Sequence, residues 1–125
     1  MNNDSIRDFG RVKRAFRYSL AGFHTTWTHE AAFRQEVVLC LLLAPVGLWL
    51  GPTALEKALL VSCLVLVLIV ELLNTAVEAA IDRVGFDQHP LSARAKDIGS
   101  AAVLTALIHC IVVWALILGL PLLGG

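Results

Sequence analysis

The chain has 125 residues, 58% of them hydrophobic and 16% charged, with a mean hydropathy of +0.76. Soluble domains run at about 45–50% apolar and about 25% charged, so an ordinary water-soluble globule is excluded, as is a disordered chain. Ten basic residues balance ten acidic ones, which leaves no overall field to draw in nucleic acid. The expectation is a single all-α membrane domain over residues 1–125.

Residues 4–27 come first and differ from the rest. Ile6, Phe9, Val12, Ala15, Phe16, Leu20 and Phe23 recur at helical spacing between Arg7, Arg11, Lys13, Arg14 and Arg17. That pattern predicts a basic amphipathic helix lying in the membrane interface. The segment has no apolar run of the kind a cleavable signal peptide needs.

Three apolar stretches follow, at about 31–50, 55–82 and 97–122. A helix needs about 20 residues to span a bilayer. The third stretch meets this outright, and the other two do so if their polar ends face protein or headgroups. Three transmembrane helices are predicted, joined by a tight turn at Gly51-Pro52-Thr53 and by a break from Gly85 to Pro90. Basic residues gather before the first span and in the second loop (Arg83, Arg94 and Lys96), whereas the first loop carries Lys57. The positive-inside rule then puts the N-terminus in the cytoplasm and the C-terminus on the periplasmic side. Cys40, Cys63 and Cys110 each sit inside an apolar run. They read as small buried hydrophobes, their spacing fitting neither a disulfide framework nor a zinc site.

The second span carries the chemistry. Glu71, Asn74, Glu78 and Asp82 fall at offsets of 3, 7 and 11 from Glu71, one helical stripe about 80° wide. A carboxylate at mid-membrane costs about 2.5–3.5 kcal/mol, while each apolar residue returns only about 0.3–0.6 kcal/mol. Two glutamates facing the same way are poor helix glue, so the stripe reads as functional. Counting about 1.5 Å per residue from Ala58, Glu71 lies about 10 Å beneath the cytoplasmic boundary of a core about 30 Å thick. Glu78 falls at that boundary and Asp82 outside it. One carboxylate at acyl–glycerol depth and a second at phosphate depth suit transfer of a phosphoryl group from a soluble donor to a lipid hydroxyl.

Two more clusters belong to the same side. Glu30 to Glu36 opens the first span, and Arg94-Ala-Lys96-Asp97 opens the third, near His89. Their cations suit polyphosphate and their carboxylates suit Mg²⁺. No Walker-type glycine loop, GxGxxG or zinc signature is present, which excludes a soluble kinase fold. A small proton-coupled transporter also carries a membrane carboxylate, and a structural subunit also carries a polar seam. Both remain alternatives at this stage.

The residues Glu71-Leu-Leu-Asn-Thr-Ala-Val-Glu78-Ala-Ala-Ile-Asp82-Arg and Leu91-Ser-Ala-Arg-Ala-Lys96-Asp97-Ile-Gly-Ser-Ala-Ala resemble the signatures of the small prokaryotic diacylglycerol kinases. The likeness extends from Phe9 to Trp114, and the Glu30–Glu36 segment favours the diacylglycerol branch over the related undecaprenol kinases. The resemblance implies an inner-membrane homotrimer that makes phosphatidate from diacylglycerol and MgATP. It implies Glu71 as general base, Glu30 and Glu78 as metal ligands, and Arg11, Tyr18, Glu30, Asn74, Glu78, Asp82, Asp87, His89, Lys96 and Asp97 at the nucleotide. Ala32, Arg34, Gln35, Glu36, Glu71, Ser100 and Trp114 would face the lipid. Ala93 stands where the family has glycine, and Asp87 replaces a glutamate.

Overall fold

The computed structural model describes residues 3–85 and 88–124. Among the described residues it is helical apart from short connections, and it divides into two units, 1–31 and 32–125.

The first unit is α1, Asn3–His29. Along it Phe9, Phe16, Leu20 and Phe23 are exposed on an apolar face, as the basic amphipathic pattern requires. Asp4 in the first turn and His29 in the last suit the helix dipole. The helix closes on itself: Glu30 N–H donates to the Thr26 carbonyl at 2.9 Å, and the Ser19 hydroxyl donates to Ala15 at 3.0 Å.

The second unit holds α2 (Ala31–Leu50), α3 (Ala54–Val84) and α4 (Pro90–Trp114). The chain runs on from α4 through one wide turn, Ala115–Gly119, into α5 (Leu120–Gly124). In that turn Leu120 N–H reaches back to the Ala115 carbonyl, five residues earlier. Pro121 has no N–H to donate and its ring crowds the preceding carbonyls, so a wider turn before it relieves the ladder. Three helical stretches, Ala31–Leu50, Ala54–Val84 and Pro90–Gly124, are long and apolar enough to cross a membrane. The three-span, all-α expectation agrees with this.

Local sequence explains the helix ends. The Thr53 hydroxyl accepts from Glu56 N–H at 3.3 Å and starts α3, the arrangement of a Thr-x-x-Glu capping box. Just before it, a Cβ on Gly51 would sit 2.7 Å from Lys57 Cγ and 2.9 Å from the Gly47 carbonyl. The tight turn therefore needs glycine, and the Lys57 ammonium closes it by donating to the Gly51 carbonyl. His89 caps α4, its Nδ1 accepting from Leu91 N–H at 3.1 Å. Pro90 follows at the first helical position, where its missing N–H costs nothing.

α3 and α4 pack antiparallel, since rising positions on one meet falling positions on the other. Trp114 Nε1–H donates to the Leu60 carbonyl at 3.1 Å, Cys63 meets Cys110, Asn74 meets Gly99, and Asp82 meets Lys96. The core lies away from the Glu71-to-Asp82 stripe, in Cys63, Leu64, Val67, Ala106 and Cys110, with Cys40, Leu43 and Ala44 of α2 packed against it. The cysteines are thus core residues with free thiols, as their surroundings in sequence suggest. They also converge: Cys63 Sγ and Cys110 Sγ are 3.2 Å apart, and Cys40 Sγ donates to the Leu64 carbonyl at 3.5 Å. At about 1.5 Å per residue, the 31 residues of α3 extend about 46 Å. That exceeds a hydrocarbon core of about 30 Å, so one end of the helix projects beyond it.

Candidate active site

The polar stripe lies along the second half of α3. Glu71 is buried, with 6% of its surface exposed. Asn74 and Glu78 follow one and two turns later on the same face, and Asn74 Nδ2–H donates to Glu78 Oε1 at 3.4 Å. Asp82 comes a turn further on and meets Lys96 of α4 at 3.0 Å. The helix thus carries its acids from a dry interior to a wet surface, and the cation waits at the wet end.

Around Glu71 the hydrogen bonding is incomplete. Among the described residues, the buried atoms Glu36 Oε2, Asn74 Oδ1 and Thr75 Oγ1 have no hydrogen-bond partner. Buried polar atoms are nearly always satisfied, and leaving one bare costs about 1–3 kcal/mol. Asn74 and Thr75 are three and four residues beyond Glu71 on the helix, and Glu36 of α2 lies within electrostatic reach of it. Two carboxyl groups and two uncommitted polar atoms therefore fall within about one turn of α3, with Glu36 coming from α2 and the Asn74 oxygen facing Gly99 of α4. A polar group brought in by a ligand would satisfy them. Thr75 is a residue that sequence reading missed, because a threonine in a helix normally bonds the carbonyl a turn back and leaves no mark in the sequence.

Beyond Asp82 a cleft of about 490 Å³ opens between the end of α3 and the start of α4. Asp82, Gln88, His89, Ser92, Ala93 and Lys96 are among its walls. Ala93 is also held by its N–H donating to the His89 carbonyl at 3.1 Å. A cation, an imidazole and a helix start facing one cleft make a setting suited to phosphate.

The remaining expected residues are distributed as follows. Ala32, Arg34, Gln35 and Glu36 form the first turns of α2, with Arg34 and Glu36 half-buried and Gln35 exposed. Asp97 and Ser100 are exposed on α4, near Lys96. Arg11, Tyr18 and Glu30 belong to the N-terminal unit, the first two exposed along α1 and Glu30 at its end. Asp87 lies outside the described residues. Trp114 is not brought to this site: it is about 22 Å along α4 from Gly99, bonded to Leu60.

A model of the family described as prokaryotic diacylglycerol kinase matches residues 17–118, which takes in the stripe on α3 and the cleft beside it. The chain belongs to the prokaryotic diacylglycerol kinase family. Within that family it is 48% identical over 110 residues to the diacylglycerol kinase of Escherichia coli K12, covering 88% of this chain and 90% of that one. It is 51% identical over 108 residues to the diacylglycerol kinase of Pseudomonas aeruginosa, covering 86% and 88%. A more distant relative, the diacylglycerol kinase of Helicobacter pylori strain 26695, is 39% identical over 108 residues, covering 86% and 84%. As a member of the diacylglycerol kinase family this chain is a multi-pass membrane enzyme of phosphoryl transfer. The transporter and structural-subunit readings fall away with that assignment.

Proposed function

We propose that this protein is a diacylglycerol kinase, transferring the γ-phosphoryl group of ATP to the free hydroxyl of a membrane diacylglycerol to give phosphatidate and ADP. The observation that carries the reading is Glu71, a carboxylate buried near unsatisfied polar atoms, about three turns along the same helix face from an open cleft lined by Asp82, Lys96 and His89.

Phosphoryl transfer asks a protein mainly for positioning and charge neutralisation. Glu71 is the general base: it takes the proton from the lipid hydroxyl as the oxygen attacks phosphorus. A positioned base of this kind contributes about 10²–10⁴-fold. Glu36, Arg34, Gln35, Ala32 and Ser100 line the lipid side, and Trp114 contacts the acyl region further along α4. Lys96, Asp82, Asn74, His89, Asp97, Arg11 and Tyr18 serve the nucleotide, with Lys96 facing its phosphates.

The residues fit Mg²⁺. Their donors are hard carboxylate and amide oxygens, and among the described residues no group of three or more His, Cys, Asp or Glu side chains forms a closed metal cage. Mg²⁺ is commonly held by one or two carboxylates with substrate phosphates completing its shell. Glu78 and Glu30 would hold it, and the ion would supply neutralisation of charge on the triphosphate. The Asn74 amide bonded to Glu78 Oε1 orients that carboxylate.

The active unit is a homotrimer in the bacterial inner membrane, with N-terminus cytoplasmic and C-terminus periplasmic. Ala76, Ala79 and Ala80 are exposed on α3, and small residues let neighbouring helices approach closely. The purified chain, given ATP labelled at the γ-phosphate, is expected to yield a chloroform-extractable product with diacylglycerol. Ceramide, monoacylglycerol and undecaprenol are assayed beside it. Preferential labelling of undecaprenol would place the chain in the other branch, and no labelled lipid at all would overturn the proposal.

A further inference from the structure

We infer that Gly99 is a positioning residue: the space left by its missing side chain is what lets the Asn74 amide take the orientation that meets Glu78. The inference rests on the proposed site. It starts from a close approach between two helices. A Cβ placed on Gly99 would lie 2.1 Å from Asn74 Oδ1, 3.2 Å from its Cγ and 4.0 Å from its Cβ. Real Cβ atoms do not come that near to another heavy atom, so an alanine at this position and the present Asn74 rotamer exclude each other.

The conflict is confined to Asn74. No backbone atom and no other side chain lies within 4 Å among the nearest neighbours of that built Cβ. The helices therefore need not separate, and the amide alone must move. Turning the amide over does not help, since Nδ2 would then occupy the place of Oδ1. The clash clears only if the amide rotates well out of its present plane or the side chain swings nearer the backbone, and either takes Nδ2 away from Glu78 Oε1, which it now meets at 3.4 Å. Asn74 Oδ1 is also buried and has no hydrogen-bond partner among the described residues. No bond to its oxygen holds the amide, and its present place is open only because residue 99 carries no side chain.

Gly99 touches neither substrate nor metal in this scheme. It acts through Asn74, and Asn74 acts by orienting the Glu78 carboxylate. Removing a partner that orients a metal ligand typically costs about 10–100-fold in metal affinity or activity. Gly99→Ala is thus expected to raise the Mg²⁺ concentration needed for half-maximal rate and to lower kcat/KM for MgATP by about 10–100-fold. Assembly and thermal midpoint should stay as in the parent.

The test is a mutant cycle on the full chain in membranes or detergent. Asn74→Ala is expected to show the same shift in Mg²⁺ dependence, and Asn74→Ala/Gly99→Ala to be no worse than Asn74→Ala, because the clash has lost its second party. In protein labelled with ¹⁵N-asparagine, the Asn74 side-chain amide resonance should move in Gly99→Ala, whatever the reaction catalysed. If Gly99→Ala fails to assemble, the double variant should assemble. An unmoved amide resonance, losses that multiply in the double variant, or failure of both variants to assemble would overturn the inference. A resonance that moves while Asn74→Ala and Glu78→Gln keep the parent's metal dependence would overturn the site reading, and the catalytic role of Gly99 with it.

Discussion

Lys96 Nζ lies 3.0 Å from Asp82 Oδ1, joining the third membrane helix to the second at the mouth of the cleft, with both side chains 45% exposed. So exposed a pair contributes only about 0–1 kcal/mol to stability. Its value in the proposed site lies in place: it sets a cation beside the acids at the mouth of the cleft.

Lys96→Met is therefore expected to leave the thermal midpoint nearly unchanged, within about 1 kcal/mol of stability, while raising KM for MgATP steeply. Steady-state kinetics at varied MgATP, alongside a melting curve, checks this. A melting point that falls with no change in KM would make the pair a structural clasp only.

Glu71→Gln keeps the shape and burial of its parent and removes the proposed base. Phosphoryl transfer should fall by at least about 100-fold, with insertion and assembly intact, as read by size-exclusion of the solubilised protein. Substantial activity in a correctly assembled variant would rule out Glu71 as base.

Glu78→Gln and Glu30→Gln should chiefly weaken metal-dependent use of the nucleotide. The measurement is rate against Mg²⁺ concentration at fixed ATP, and the expected result is a curve displaced to higher Mg²⁺ in both variants. An undisplaced curve in either one removes that residue from the metal.

Replacing Cys40, Cys63 and Cys110 together with alanine is expected to leave catalysis largely intact. All three lie in or against the apolar core, away from the charged stripe. Each lost sulfur leaves a small void, a cost of order 1 kcal/mol, so the thermal midpoint should drop. Loss of activity in a folded triple variant would contradict this.

Mixed oligomers test whether neighbouring protomers complete each site. Glu71→Gln combined with Asp97→Asn is expected to regain part of the activity that each lacks alone, with Glu71→Gln and Glu30→Gln the next pairing. No gain in mixed oligomers shown by crosslinking to have formed would mean that each protomer holds a complete site.

Much of this protein is written in its sequence by itself. Hydropathy set the three long helices, because a backbone in hydrocarbon must satisfy its own hydrogen bonds and a helix does so within one segment. The Glu71-to-Asp82 stripe follows from helical periodicity alone, and so does the apolar face of α1. What periodicity along one helix cannot contain is the register of that helix against its neighbours. Antiparallel packing of α3 on α4 decided that Asp82 would meet Lys96 and Asn74 would meet Gly99. It also brought Cys63 to Cys110, 47 residues apart in the chain. The unsatisfied oxygens of Glu36, Asn74 and Thr75 were equally hidden: a polar atom lacks a partner only by virtue of what surrounds it, and those surroundings come from other helices.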